Sequence, residues 1–266
     1  MKSTRAALLA VVLSGALTVT AACGDKKDNE SSAPASGAST SVQVSPSADA
    51  KTELADAFKK VSGVPLAYTA TTETGTVSSA KLTGSSDPAN KANSGKMTIT
   101  AQSQNIDAEV IVVGTDLYLK MGLPLPGVDP KKWMYIDGSK TSLSKLGLNP
   151  DDPANIKGIN DALVTVEKTG AGAYKGTLDL TKRNLPASSA ALIQQMGAAA
   201  KSVPFEASVG ADGYLTSMKM TMPAAGQVPA TSSVSTFSDF GKPVTITKPA
   251  AAEVQPAPAA LLAQFA

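Results

Sequence analysis

The chain has 266 residues, with 24 basic and 22 acidic side chains, one cysteine and no histidine. Without histidine it lacks the commonest general base and metal ligand, and a lone cysteine permits no disulfide within the chain, so transition-metal and thiol chemistry are not expected. The near balance of charge, with no cluster of Lys and Arg, leaves no footprint for nucleic acid.

Residues 1–22 read as a signal peptide. Lys2 and Arg5 form a basic start, Ala6 to Val19 is an almost unbroken apolar run, and Thr20-Ala21-Ala22 is a small-residue cleavage site. The run is shorter than the about 20 residues that a spanning helix needs. Losing Lys2 and Arg5 with this leader leaves 22 basic residues against 22 acidic ones, a formally neutral mature chain. Ala21-Ala22-Cys23-Gly24 resembles the lipobox of bacterial lipoproteins, with Thr20 where an aliphatic residue is usual. That resemblance implies a diacylglyceryl group on the Cys23 thiol, with acyl chains such as palmitate. It also implies an extracytoplasmic chain anchored to the cell membrane of a bacterium. Residues 23–48 continue as a Ser/Ala/Pro-rich flexible tether, with almost no large apolar group to offset its ordering entropy.

From Asp49, read as an N-cap, Leu54, Ala57, Phe58 and Val61 recur at helical spacing. Asp56 and Lys60 stand four apart as an ion pair, and Gly63 and Pro65 end the helix. Strand-like segments follow. Leu66, Tyr68 and Ala70 share one face of the first; TVSSAKLTGSS alternates weakly; Asp87-Pro88 and Asn93-Ser94-Gly95 read as turns. Met97, Ile99 and Ala101 share one face of KMTITAQSQ, and IDAEVIVV is apolar on both faces near its end, as in a strand covered on each side. Leu117, Leu119 and Met121 then alternate against Tyr118 and Lys120, and WMYIDGS carries Trp133, the only tryptophan.

Beyond these strands the period changes. Asp152-Pro153 opens a short helix with Ile156, Ile159 and Leu163 down one side. Hairpins are expected around Gly170-Ala171-Gly172 and Asp212-Gly213. An Ala-rich helix between them carries Leu192, Ile193, Met196, Ala199 and Ala200 on one face. Met218, Met220 and Met222 share a face of the second hairpin, and SSVSTFSDFG and PVTITKP close the domain as strands. Residues 251–266 read as a mobile Ala/Pro-rich tail, in which Leu261, Leu262 and Phe265 can dock as a short amphipathic turn.

This order predicts an α+β domain over residues 49–250. Its frame is a single large curved antiparallel sheet, an incomplete barrel, with helices packed on its concave face. The candidate apolar pocket takes Leu66, Tyr68, Leu117, Leu119, Met121 and Trp133 from the first strands. Leu192 and Met196 join them from the Ala-rich helix, and Met218, Met220 and Met222 from the later hairpin. Unbranched, polarizable Met adapts to varied apolar partners, which fits acyl chains; the same residues equally fill the space between sheet and helix. Trp133, beside Lys131 and Lys132, has a second reading at a pocket mouth near a lipid headgroup. Asp151 and Asp152 read as helix caps. No calcium-loop spacing, phosphate loop or nucleophile elbow occurs, so no catalytic residue, metal or cofactor is expected.

The VVGTDLYLKM and WMYIDGS strands, the hairpin VPFEASVGADGYLTSMKMTMP and the closing FSDFGKPVTITKPAA follow a lipobox, a polar linker and an opening helix. Together they are similar to the LppX/LprG group of actinobacterial lipoproteins, from about Lys51 to Pro249. The resemblance implies the fold of the carriers LolA and LolB, an incomplete antiparallel barrel closed by helices around an apolar cavity. It also implies non-enzymatic binding or shuttling of lipid or glycolipid. A membrane transporter is a further candidate partner. The alternative is a protein-interaction or structural envelope lipoprotein with the same fold and a filled core. An envelope hydrolase built on a Ser-Lys pair is the third reading.

Overall fold

The computed structural model describes residues 48–75, 78–101, 104–140, 156–183, 187–224 and 229–262. Alternating Val, Ile, Thr and Met segments build two antiparallel meanders. The first comprises β1 (Leu66–Thr74), β2 (Ser78–Asp87), β3 (Ala92–Ala101), β4 (Gln104–Val113), β5 (Asp116–Met121) and β6 (Trp133–Asp137). The second comprises β7 (Leu163–Gly170), β8 (Ala173–Leu178), β9 (Val203–Val209), β10 (Leu215–Met222) and β11 (Thr231–Ser238). The meanders join where β1 pairs with β11, placing Tyr68 opposite Phe237. A last short strand, β12 (Val254–Pro256), adds to β6 in parallel. The result is one open, curved, mostly antiparallel sheet of twelve strands, ordered β12-β6-β5-β4-β3-β2-β1-β11-β10-β9-β8-β7.

Directly opposed residues of antiparallel strands point to the same side, so the register sorts every strand residue onto one of two faces. One face is apolar, and it is covered at both ends. Over the second meander lies α1 (Ala48–Ser62), whose Ala50, Leu54, Ala57, Phe58 and Val61 are all buried, as their spacing requires. They pack with Leu66, Leu163, Val166, Tyr174, Phe205, Leu215 and Met218 in a core that also takes Ile156 from α2 (Ile156–Asp161) and Ile193 and Met196 from α3 (Ala187–Met196). The Ala-rich helix is shorter than its pattern predicts. Gly197 turns left-handed, at φ 56°, and the chain continues as a 3-10 turn that buries Ala200. Leu163 opens β7 rather than extending α2.

The second core is smaller. Val112, Leu117, Met121, Met134 and Ile136 from β4, β5 and β6 pack with Ala257 and Leu261. Leu261 belongs to α4 (Ala259–Leu262), so residues 254–262, expected to be mobile, are instead a strand and a helix turn that close this end. The physical reason is the free edge of β6, which offers hydrogen bonds to an otherwise featureless sequence. The docking of Leu261 agrees with the amphipathic turn; Phe265 lies outside the described residues, as do Asp151 and Asp152. PVTITKP does not become a strand, its prolines lacking a donor for a ladder. Asn93-Ser94-Gly95 is no turn but the interior of β3; the β2–β3 turn comes earlier and is capped by the Asp87 carboxylate, which accepts from the Asn90 amide at 2.7 Å.

Polar contacts fix α1 in place. The Lys60 ammonium, expected to pair with Asp56, instead donates to the Asp212 carbonyl in the β9–β10 turn and lies 4.3 Å from the Tyr214 ring centre. The Tyr214 ring in turn stacks on Phe240 at 4.5 Å. Glu53 accepts from Lys168 at 2.6 Å and from the Tyr174 hydroxyl at 2.7 Å. The Lys168 hydrogen bond, more than any other influence, holds the Glu53 carboxyl below its ordinary range.

Candidate apolar binding face

The apolar face can be read in rows across the strands. One row runs Tyr174, Ala207, Met218, Ser235, Ala70, Leu82, Met97, Ala108, Met121. The next runs Phe205, Met220, Ser233, Thr72, Ala80, Ile99, Ile106. Where α1 or the C-terminal segment lies above, these side chains are buried. In the middle of the sheet, Ala70, Ala80, Leu82, Met97, Ile99, Ile106 and Val110 are only half-buried. They form an apolar strip between the two cores. Every methionine except Met1 belongs to this face or to the helix packed on it: Met97, Met121, Met134, Met218, Met220 and Met222 by register, and Met196 on α3.

The residues expected to line a pocket distribute unevenly. Leu66, Met196 and Met218 are buried in the larger core, and Leu117 and Met121 in the smaller. Tyr68, Leu192, Met220 and Met222 lie half-buried at the margin of the first, Leu119 at the margin of the second. Trp133 is on the opposite face. Met134 stands opposite Leu119 on the apolar side, so Trp133 points away with Lys120, whose ammonium sits 5.6 Å from its ring centre. Cys23 lies outside the described residues.

Near one end of the apolar floor a tyrosine hydroxyl is set among its polar positions. Tyr68 lies across Gly84, where any Cβ would collide with its ring, and beside Gly95, so two side-chain-free positions on β2 and β3 make its bed. Its hydroxyl donates to the Asn93 side-chain oxygen at 3.0 Å and lies 3.2 Å from the Ser94 carbonyl. Burial pushes the Tyr68 phenol up to about 12.

The outer face is hydroxyl-rich and charged. Paired threonines bridge strands there, Thr69 to Thr236 at 2.7 Å and Thr165 to Thr177 at 2.8 Å. Asp116 accepts from the Tyr135 hydroxyl at 2.9 Å and from Lys248, and the Lys248 bond is the main cause that holds its carboxyl below the ordinary range. Its hydrogen bond with Asp116 raises the Tyr135 phenol to about 12. A shallow depression of about 300 Å³ on this face is lined by Thr165, Glu167, Lys175, Thr177, Glu206 and Lys219, an exposed ladder of alternating charge rather than an acyl pocket. Among the described residues no three His, Cys, Asp or Glu side chains are grouped to hold a metal ion, and no helix is long and apolar enough to cross a membrane.

The half-exposed strip was only partly foreseen. Met97 and Ile99 declare a shared face by alternation, whereas Leu82 and Ala80 sit in a Ser/Thr-rich strand whose pattern is weak. Asn93 gave no signal beyond its turn-like composition.

No family model and no curated protein matches this sequence. Among solved structures, the chain is similar to a LolA superfamily protein from Nitrosomonas europaea, at 12% identity and a TM-score of 0.27, over 80% of this chain and 96% of that one.

Proposed function

We propose that this chain is a lipid-anchored envelope protein that binds the acyl chains of a lipid or glycolipid on the apolar face of its sheet, without catalysis. Cys23 carries the anchor, and residues 24–47 tether the domain to the membrane surface. The observation that carries the reading is the half-exposed strip of Leu82, Met97, Ile99, Ile106 and Val110 between two packed cores. Exposed contiguous apolar surface on a soluble domain marks a binding surface. Each methylene laid on it contributes about 0.8 kcal/mol. Methionines at its margins, Met220 and Met222, adapt to chains of different length or branching.

The test is native mass spectrometry with lipid extraction on the full chain carrying Cys23→Ser, so that no anchor lipid enters the mass. Co-purified or added acyl lipid should bind, and Met97→Arg or Leu82→Arg should abolish the binding while the protein stays folded. A clean apo mass that takes up no offered lipid would replace this reading with the protein-interaction module.

A further inference from the structure

The two cores are covered unequally. Over the larger one, α1 buries Leu54, Phe58 and Val61 and is held through Glu53 and Lys60. Over the smaller one lie residues 254–262, and among their described side chains only Ala257 and Leu261 are buried. β12 is three residues long, runs parallel to β6 and ends on Pro256, which has no N–H to give a ladder. Gln255 makes up part of the deficit. Its side-chain nitrogen donates to the Asp129 carbonyl at 2.8 Å, and its oxygen accepts from the Asp129 N–H at 3.1 Å, so a side chain makes the two bonds of a strand pairing. Upstream, Lys248 is fixed on Asp116, and one 3-10 turn, Ala251–Glu253, leads from there into Val254.

What this segment covers is continuous with the bare strip. Register carries Leu82 and Met97 through Ala108 to Met121, and Val110 through Leu119 to Met134. Met121 and Met134 pack in one core with Leu261. An acyl chain laid on the strip therefore runs into the edge of the segment. Its further methylenes gain apolar surface only where Leu261 now lies, so ligand and segment compete for one floor.

We propose that residues 254–262 are a displaceable flap: a long acyl chain bound on the strip extends over Leu117, Met121, Met134 and Ile136 by taking the place of Ala257 and Leu261. The closed protein needs no empty space for this, because the ligand fills what the flap vacates. The proposal rests on the acyl-binding reading and adds the regulation of that face. The fraction of molecules with the flap displaced sets the apparent affinity.

The experiment titrates dodecanoate by calorimetry into the full chain carrying Cys23→Ser. Gln255→Ala removes the clamp and should tighten binding about fivefold. Leu261→Ala removes the competing side chain and should tighten it about tenfold. Glu53→Gln, which loosens α1 instead, should leave the affinity unchanged. A segment that only supports the fold gives the opposite sign, since loosening it costs the binding face its shape. Hydrogen exchange reads the flap directly, on the protein with Gln255 and Leu261 intact, and so decides the matter even where a variant unfolds. Dodecanoate should speed exchange at Ala257, Leu261 and Leu262, whose amides donate to the Tyr135 and Pro258 carbonyls in the closed form. Unchanged or weaker binding in either folded flap variant, equal tightening by Glu53→Gln, or exchange that does not speed up would overturn the flap and leave the acyl-binding face standing. Dodecanoate binding to none of these proteins would overturn both.

Discussion

The covered ends of the sheet and its bare centre share one face, one alternation and much the same residue types, yet they do different work. Over β7 to β11, α1 buries Leu54, Phe58 and Val61 against Phe205 and Met218. Over β4 to β6, Leu261 does the same on a smaller scale against Met134 and Ile136. Between them Leu82, Met97 and Ile99 have no such cover among the described residues and remain half-exposed. A strand's pattern therefore specifies which side is apolar, but what lies on top decides whether that side is core or surface.

Substitutions should separate these regions sharply. Phe58→Ala in the larger core should cost about 3–5 kcal/mol by denaturant unfolding. Leu261→Ala in the smaller core should cost about 2 kcal/mol, at the low end for such a truncation because the segment above it can settle. Met97→Arg in the bare strip should cost less than about 1 kcal/mol and yet remove acyl-lipid uptake in the mass spectrum. If it unfolds the domain instead, the strip is core and the contrast fails.

Titration probes the seams between the regions. The folded-state Tyr68 phenol is raised to about 12 from 10.0 by burial, so its contribution is complete below pH 10 and is lost as pH rises through 12. Tyr68→Phe should flatten part of the alkaline fall in stability; Tyr135, also raised to about 12, and Tyr174, raised by burial, contribute to the same fall. The smallest effect belongs to Glu53. Its depressed carboxyl contributes stability above its ordinary value of 4.5 that is lost as pH falls through the folded value. Glu53→Gln should make the acid limb of the stability curve shallower, which a thermal melt series below pH 5 would read.

Much of this architecture was legible in the residues. Leu54, Phe58 and Val61 announce α1, the Gly-Ala-Gly and Asp-Gly turns place two hairpins, and the run of alternating segments implies one large antiparallel sheet. Trp133 was placed on the wrong face because Trp133 and Tyr135 are as large and aromatic as Met134 and Ile136 are apolar. Alternation alone leaves the phase of such a strand open, and only pairing with β5 sets it. Asn93 and Gly95 looked like a turn by composition, since their strand-interior role depends on Tyr68 from another strand lying over the glycines. Residues 254–256 carry no strand signal of their own; they pair because β6 presents an edge.

The pairing of β1 with β11 has a consequence in time. Thr69 and Thr236 meet across 167 residues of chain, so the seam that unites the two meanders is the most distant strand pairing in the sheet. Closing so long a loop is entropically slow, and the first meander must form with one side of β1 unsatisfied. A chain emerging in order would carry that open strand through most of its synthesis, when pairing with a neighbouring molecule is the competing outcome. The sequence of β1, LAYTATTET, meets this hazard with threonines and a glutamate on the side away from the core, a strand polar enough to wait for its partner.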